Sequence, residues 1–268
     1  MGRLAIDTGD NSAIVSGVNN KEDAMTTLKL TMLTDLDEAA VAKLAQTSGW
    51  FAAFRRIGVA VRAATALARD PNDTRQVFLL AISIDRPSIL QTLAQLSASE
   101  DGRALLVERP EISSRAVDYD RLRALSPDTL GGAYVRFLDA HGLDPDMFQR
   151  PPGIPIEIAY VAQRIRQTHD LWHVLTGLPT DVPGEIALQA FTRGQLHNRT
   201  SWVLSTLGTL LYAFRYPSLL HDVRAWYRSG KSAAFLLSTR WESLWDEPLD
   251  AVRGQFGVVS AARSFPGP

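Results

Sequence analysis

The run GLPTDVPG, residues 177–184, constrains this chain more than any other feature, because two glycines and two prolines in eight residues stop regular structure from running through. Helical patterning precedes it over 156–176, so one helix is expected to end near Gly177 and another to start near Thr180 or Asp181. A chain that stops and restarts a helix so quickly folds back on itself as a hairpin. His173 then lies about one turn before the break and Glu185 about one turn after it, which brings them level.

Helical spacing gives the hairpin a chemical character. His169 and His173 stand at i and i+4 on one face, and Asp170, about 100° round from His169, reaches the same side, whereas Leu171 and Trp172 point elsewhere. Imidazole and carboxylate together bind zinc at about 2.0 to 2.2 Å, and two histidines with one carboxylate and open positions also suit iron(II). His169, Asp170, His173 and Glu185 are therefore the candidate ligands of one divalent metal, with zinc preferred over iron(II). The competing reading is a buried His–Asp network bridging two helices. Four ligating groups at this spacing favour the metal.

Composition narrows the class. The chain has no cysteine, so any metal must use nitrogen and oxygen ligands. Its 268 residues, 46% hydrophobic, suffice for a large core in a single domain, expected over 28–268 after a loose tail over 1–27. A net charge of −1 argues against a nucleic-acid binder. The tail has neither a secretory pattern nor, with Ile6 at the sixth position, a myristoylation pattern. The uncharged run at 200–214 is shorter than the 18 or so residues that span a bilayer. Serine-hydrolase elbows, Walker loops and dinucleotide fingerprints are missing.

The remaining pattern is helical, with stretches over 36–47, 50–68, 73–84, 88–97, 101–108 and 127–141, punctuated at Pro71, Pro87, Pro110 and Pro151–Pro152–Gly153, and no convincing period-two strand. The expected architecture is an all-α, single-domain helical bundle containing the metal-binding helix-loop-helix hairpin. Trp50, Phe54, Ile57, Val61, Ala64 and Ala68 form one apolar stripe, read first as core and second as a membrane contact. The helix at 200–214, with Trp202, Leu207 and Leu211, joins Leu171, Trp172 and Phe191 as the candidate lining for a lipid tail, against plain core packing. Arg224 and Arg228 share a helical face able to hold an anionic head group. His141 reads as a helix-end residue, and His197 and His221 have no telling carboxylate partner.

The pattern His-Asp-x-x-His, eleven residues, then Glu resembles the signature of the coenzyme Q (ubiquinone) biosynthesis protein 4 family. SPDTLGGAYVRFLDAHGLDP (126–145) and RWESLWDEPLDAVR (240–253) look like further family segments, and the likeness covers roughly residues 30–257. The resemblance implies a polyprenylated hydroxybenzoate as substrate and its metal-dependent oxidative decarboxylation, hydroxyl replacing the ring carboxylate at carbon one. Asp170 and Glu185 would be the catalytic groups. It also implies an organising role toward other ubiquinone biosynthesis proteins, and a place on the membrane surface, expected here as peripheral on the cytoplasmic, inner face of the membrane and as a homodimer. One alternative is a non-catalytic lipid-binding scaffold with a structural metal. Another is an HD-type metallophosphohydrolase, in which His169 and Asp170 would be joined by His141 and Asp222.

Overall fold

The computed structural model of the protein describes residues 50–69, 74–146 and 155–261. The expected tail at 1–27 and helix at 36–47 lie outside them. Eleven α-helices follow in order among the described residues: α1 (Trp50–Arg69), α2 (Thr74–Ile84), α3 (Arg86–Ala98), α4 (Glu100–Glu108), α5 (Tyr119–Ala124), α6 (Leu130–His141), α7 (Ile156–Thr176), α8 (Val182–Leu196), α9 (Arg199–Tyr212), α10 (Leu219–Ser232) and α11 (Leu249–Phe256). Short 3-10 turns at Leu236–Ser238 and Trp241–Ser243 separate α10 from α11. The one bridge outside helices pairs Thr129 with Pro248, and the described residues contain no strand. The all-α expectation holds.

Local chemistry sets the boundaries that matter for the hairpin. Gly177 ends α7 in the left-handed region at φ 66°, and its N–H donates to the His173 carbonyl at 2.7 Å. Asp181 starts α8 by accepting the Gly184 N–H at 2.9 Å, with Pro183 in the first turn where its missing N–H is harmless. Helix α6 begins at Leu130, three residues later than the pattern suggests, because Thr129 is extended and its hydroxyl caps the Gly132 N–H at 3.1 Å.

The hairpin sits within the main core. Leu171, Trp172 and Phe191 are fully buried there, with the Trp172 and Phe191 rings 6.0 Å apart and the Phe191 and Trp226 rings 6.4 Å apart. Helix α10 crosses α8 closely through Gly194 and Gly230. A Cβ on Gly230 would stand 2.2 Å from the Phe191 carbonyl oxygen, so no larger residue fits without moving backbone. Behind this layer, Arg164 of α7 is buried and ion-paired with Glu242, and it donates to the Thr239 carbonyl at 2.8 Å. That pairing ties the C-terminal turns to the helix that carries the histidines.

A second, small core lies apart from the first. Ala63 and Leu67 of α1 meet Leu80 of α2, with Val203 and Leu204 of α9 against them. This corrects the stripe expected on α1, since Ile57 and Val61 are 58% and 60% exposed. The buried face is one that small alanines let α2 approach closely, and Ile57 and Val61 of the stripe are left outside.

Candidate metal centre

Three of the four expected ligands converge. One ligand atom each from His169, His173 and Glu185 lies within 4.8 Å of the others, with His173 Nε2 3.1 Å and His169 Nε2 3.5 Å from Glu185 oxygens. Tetrahedral ligands about 2.0 to 2.1 Å from a zinc ion stand roughly 3.3 Å apart, so the carboxylate-to-imidazole spacings match donors that share one ion. His173 is buried and its Nδ1–H points at the Leu178 carbonyl, 3.0 Å away in the turn, which leaves the Nε2 lone pair facing the site. Phe137 of α6 stacks on the same ring at 5.4 Å and fixes its plane, and His169 meets it edge-on at 5.0 Å. The site faces outward through Glu185, whose side chain is 40% exposed.

The charges of the three groups are mutually dependent. Burial would raise the Glu185 carboxyl, but hydrogen bonds from His169 and His173 and their charges outweigh it and hold the pKa at about 2. Burial opposes protonation of His169, yet the Glu185 hydrogen bond and charge, with Asp170 adding to them, raise its pKa above the ordinary value. The carboxylate of Glu185 and the imidazole of His169 therefore each favour the charged form of the other. Nitrogen and oxygen donors of this kind suit zinc or iron(II).

Asp170 lies beside this triad rather than in it. Burial raises its pKa, the charges of His169 and His173 lower it, Glu185 raises it and His141 lowers it, so all four groups sense its charge. Two phenols sense it as well: Tyr119 of α5 and Tyr134 of α6. Tyr134 is buried and stacked on Trp245 at 5.6 Å. His141 sits at the C-terminus of α6, packed on Phe137 at 4.4 Å with Nδ1 2.8 Å from the Phe137 carbonyl oxygen, as a helix-end histidine should. Asp222 pairs with its neighbour His221 on α10, at 3.5 Å. The metal-competent cluster among the described residues is thus the hairpin triad, not the set that a phosphohydrolase reading requires.

The other candidate residues divide by exposure. Core packing accounts for Leu171, Trp172 and Phe191. On α9, Trp202 and Leu211 are each 48% exposed and Leu207 is half-buried, so this helix presents apolar side chains outward. Arg224 and Arg228 are exposed on α10. No helix among the described residues is long and apolar enough to cross a membrane.

The family model described as coenzyme Q (ubiquinone) biosynthesis protein Coq4 matches residues 46–262, most of the chain and all of this site. The chain belongs to that family. Among its Coq4 relatives, the mitochondrial ubiquinone biosynthesis protein COQ4 of Coprinopsis cinerea is 32% identical over 194 residues, covering 70% of this chain and 66% of the relative. The mitochondrial COQ4 homologue of Bos taurus is 31% identical over 199 residues, 71% of this chain and 73% of the relative. A crystal structure of a candidate ubiquinone biosynthesis protein from Nostoc punctiforme superposes with a TM-score of 0.61 at 26% identity, covering 75% of this chain and 96% of that one. The chain therefore has a solved relative of the same fold.

Sequence reasoning missed the residues that hold the triad in place: Phe137 against His173, the Leu178 carbonyl, Tyr134 on Trp245, and the Arg164–Glu242 pair. Spacing could have found only Leu178, which lies in the turn itself. The others come from segments far apart in sequence.

Proposed function

We propose that this chain acts in coenzyme Q biosynthesis as a metal-dependent enzyme that removes the ring carboxylate of a polyprenylated hydroxybenzoate and puts hydroxyl in its place. The observation that carries the catalytic half is a triad of three ligands on an outward-facing side of the hairpin. A structural zinc closes on four protein ligands, whereas a catalytic one keeps a position for water or substrate. A scaffold with a structural metal needs the fourth ligand that Asp170 does not supply.

His169, His173 and Glu185 would hold the ion, and a bound zinc or iron(II) would supply Lewis acidity toward a carboxylate or an oxygen species. The chain's own residues do the rest. His173, fixed by Leu178 and Phe137, gives the site a rigid inner wall, so ring and ligands need little reordering. Asp170, half-buried with its pKa raised, is placed to exchange a proton with a phenol or a water beside the triad. The change itself is a two-electron oxidation: the bond from the ring to the carboxylate breaks and the carboxylate leaves as carbon dioxide, water supplies the hydroxyl oxygen at carbon one, and dioxygen takes the two electrons and is reduced to hydrogen peroxide.

The tail half of the reading rests on exposed apolar side chains of α9 and of the turn that follows it. Leu210 is 69% and Phe214 98% exposed, Trp202 and Leu211 are each 48% exposed, and exposed apolar groups of this size, with no spanning helix among the described residues, suit an isoprenoid tail or the membrane that carries it. Peripheral attachment, an organising contact with other enzymes of the pathway and a homodimer belong to the same proposal, with Arg224 and Arg228 as head-group ligands.

Deleting the gene from its host and following the lipid extract by mass spectrometry tests it. The strain should accumulate a prenylated precursor that retains its carboxylate, and wild type should clear it. Glu185→Gln should not, because it loses the carboxylate on which both histidines converge. Normal quinone levels in a deletion strain without a second copy of the gene would overturn the pathway assignment. Full rescue by Glu185→Gln would leave only the organising role.

A further inference from the structure

Beyond the triad, one cluster of polar groups is neither explained by folding nor used above. Tyr119 and Tyr134 are neighbours, their rings tilted by 43° with centroids 6.4 Å apart, near enough for each hydroxyl to affect the other. The Tyr119 Oη is buried, yet no group accepts from it or donates to it with good geometry. A pair of phenols can make one hydrogen bond between them and still has a donor left over, and buried hydroxyls in folded proteins are seldom left that way. The acid next to them is no substitute: no hydrogen bond or ion pair holds Asp170 among the described residues, although both phenols sense its charge. A buried hydroxyl pair beside a carboxylate that has no hydrogen-bond or ion-pair partner among the described residues, on the flank of a three-ligand site, is the arrangement expected of a place where a ligand's polar atom sits.

The surroundings say which atom. Asp144, Asp146 and Asp170 all press negative charge on Tyr119, so a second anion is disfavoured there. A neutral hydroxyl is not, since it donates to a carboxylate or phenol oxygen and accepts from a phenol. Tyr119 also lines an open, mostly polar cavity of about 590 Å³ with Ser114, Arg115, Val117 and Arg123. Such a lining is unsuited to an isoprenoid tail, which leaves the ring end of the ligand for this side of the molecule.

We infer that the adjacent phenols of Tyr119 and Tyr134 are a hydrogen-bonding subsite for the ring hydroxyl of a phenolic ligand whose acid group is held at the neighbouring triad. This rests on the aromatic-acid reading above and deepens it: the triad takes the carboxylate, and the phenols select for the hydroxyl. An enzyme site built to bond a hydroxyl rejects the analogue that lacks it far more strongly than an apolar pocket rejects a small change of size.

Calorimetric titration of the full chain, with and without zinc, against 3-geranyl-4-hydroxybenzoate and 3-geranylbenzoate tests the subsite. The hydroxylated acid should bind wild type at least about tenfold more tightly than its deoxy partner, and Tyr119→Phe should bring the two within about threefold, by loss of affinity for the hydroxylated acid only. Metal stoichiometry and thermal midpoint should stay at the wild-type values, because the aromatic ring remains. Tyr134→Phe is the second variant and should act in the same direction if Tyr119→Phe is unstable. Undiminished discrimination in both variants overturns the subsite while leaving the substrate class intact. Binding of neither acid by zinc-loaded wild type overturns the substrate class and the subsite with it.

Discussion

The α7–α8 hairpin and the α1–α9 side of the molecule are both rich in large apolar side chains, but the structure treats them in opposite ways. In the hairpin, Leu171, Trp172 and Phe191 are sealed into the main core, and α10 is drawn against α8 so closely that Gly194 and Gly230 leave no room for a Cβ. On the other side, the shared core is a few small residues around Ala63, Leu67 and Leu80, while Ile57, Val61, Leu210 and Phe214 face outward. The difference shows that a partner, not periodicity, decides what an apolar stripe is for. The hairpin is buried because α10 packs closely across α8 and Phe137 of α6 covers His173 of α7. The second region keeps its apolar surface open, and an open apolar surface is what a lipid-facing role needs.

Removing the walls of the hairpin tests the first half of that contrast most severely. Phe191→Ala deletes a fully buried ring packed against both Trp172 and Trp226, so unfolding free energy should fall by about 3 to 5 kcal/mol. Urea titration followed by circular dichroism measures it. A loss below about 1 kcal/mol would mean that the hairpin core is looser than its packing implies.

How much of this was legible in the sequence follows from the range of the interactions involved. The ends of the hairpin were legible because Gly177 and Asp181 act on backbone groups within four residues, and local chemistry leaves a local signature. The triad was legible because i,i+4 spacing and a short turn bring His169, His173 and Glu185 together almost without help from the rest of the fold. The ring that orients His173 was not, since Phe137 comes from another helix. Nor was the Arg164–Glu242 pair, whose members are 78 residues apart. The stripe on α1 was legible as amphipathic, but its buried side was set by α2 and α9, and Ile57 and Val61 ended on the wrong side for core. Asp170 shares the histidine helix, yet 100° of rotation places it among the phenols and leaves three ligands in the triad.

Protons would compete with a metal held by the proposed triad, which gives a second and smaller effect. Because Glu185 lowers its pKa to about 2, its contribution to stability is present above the ordinary value of 4.5 and is lost as pH falls toward 2. His169 moves the other way: raised above 6.5, it stabilises the metal-free protein fully below 6.5, and that contribution is lost as pH rises through its folded pKa. Metal binding requires neutral imidazole, so the apparent zinc affinity should fall about tenfold for each pH unit below the His169 pKa. Titration against a competing chelator from pH 5.5 to 8 checks this. An affinity that does not change over that range would separate His169 from the metal.

The α9 face should give the smallest change in stability and thereby the sharpest contrast with the hairpin. Leu210→Ser and Phe214→Ser alter side chains that are 69% and 98% exposed, so no core contact is lost and unfolding free energy should move by less than about 0.5 kcal/mol. Their effect belongs elsewhere. If the open face meets a lipid surface, each large apolar group withdrawn from the acyl boundary removes binding free energy, and the double substitution should lower partition into vesicles of mixed phosphatidylcholine and anionic lipid about tenfold or more. Vesicle flotation measures the partition and thermal melting the stability, on the same protein samples. Reduced flotation at unchanged stability would separate the two regions by function as well as by packing. Unchanged flotation would remove the lipid role from α9, and an equal fall in stability would mean that the face is covered in solution, most simply by a second copy of the chain.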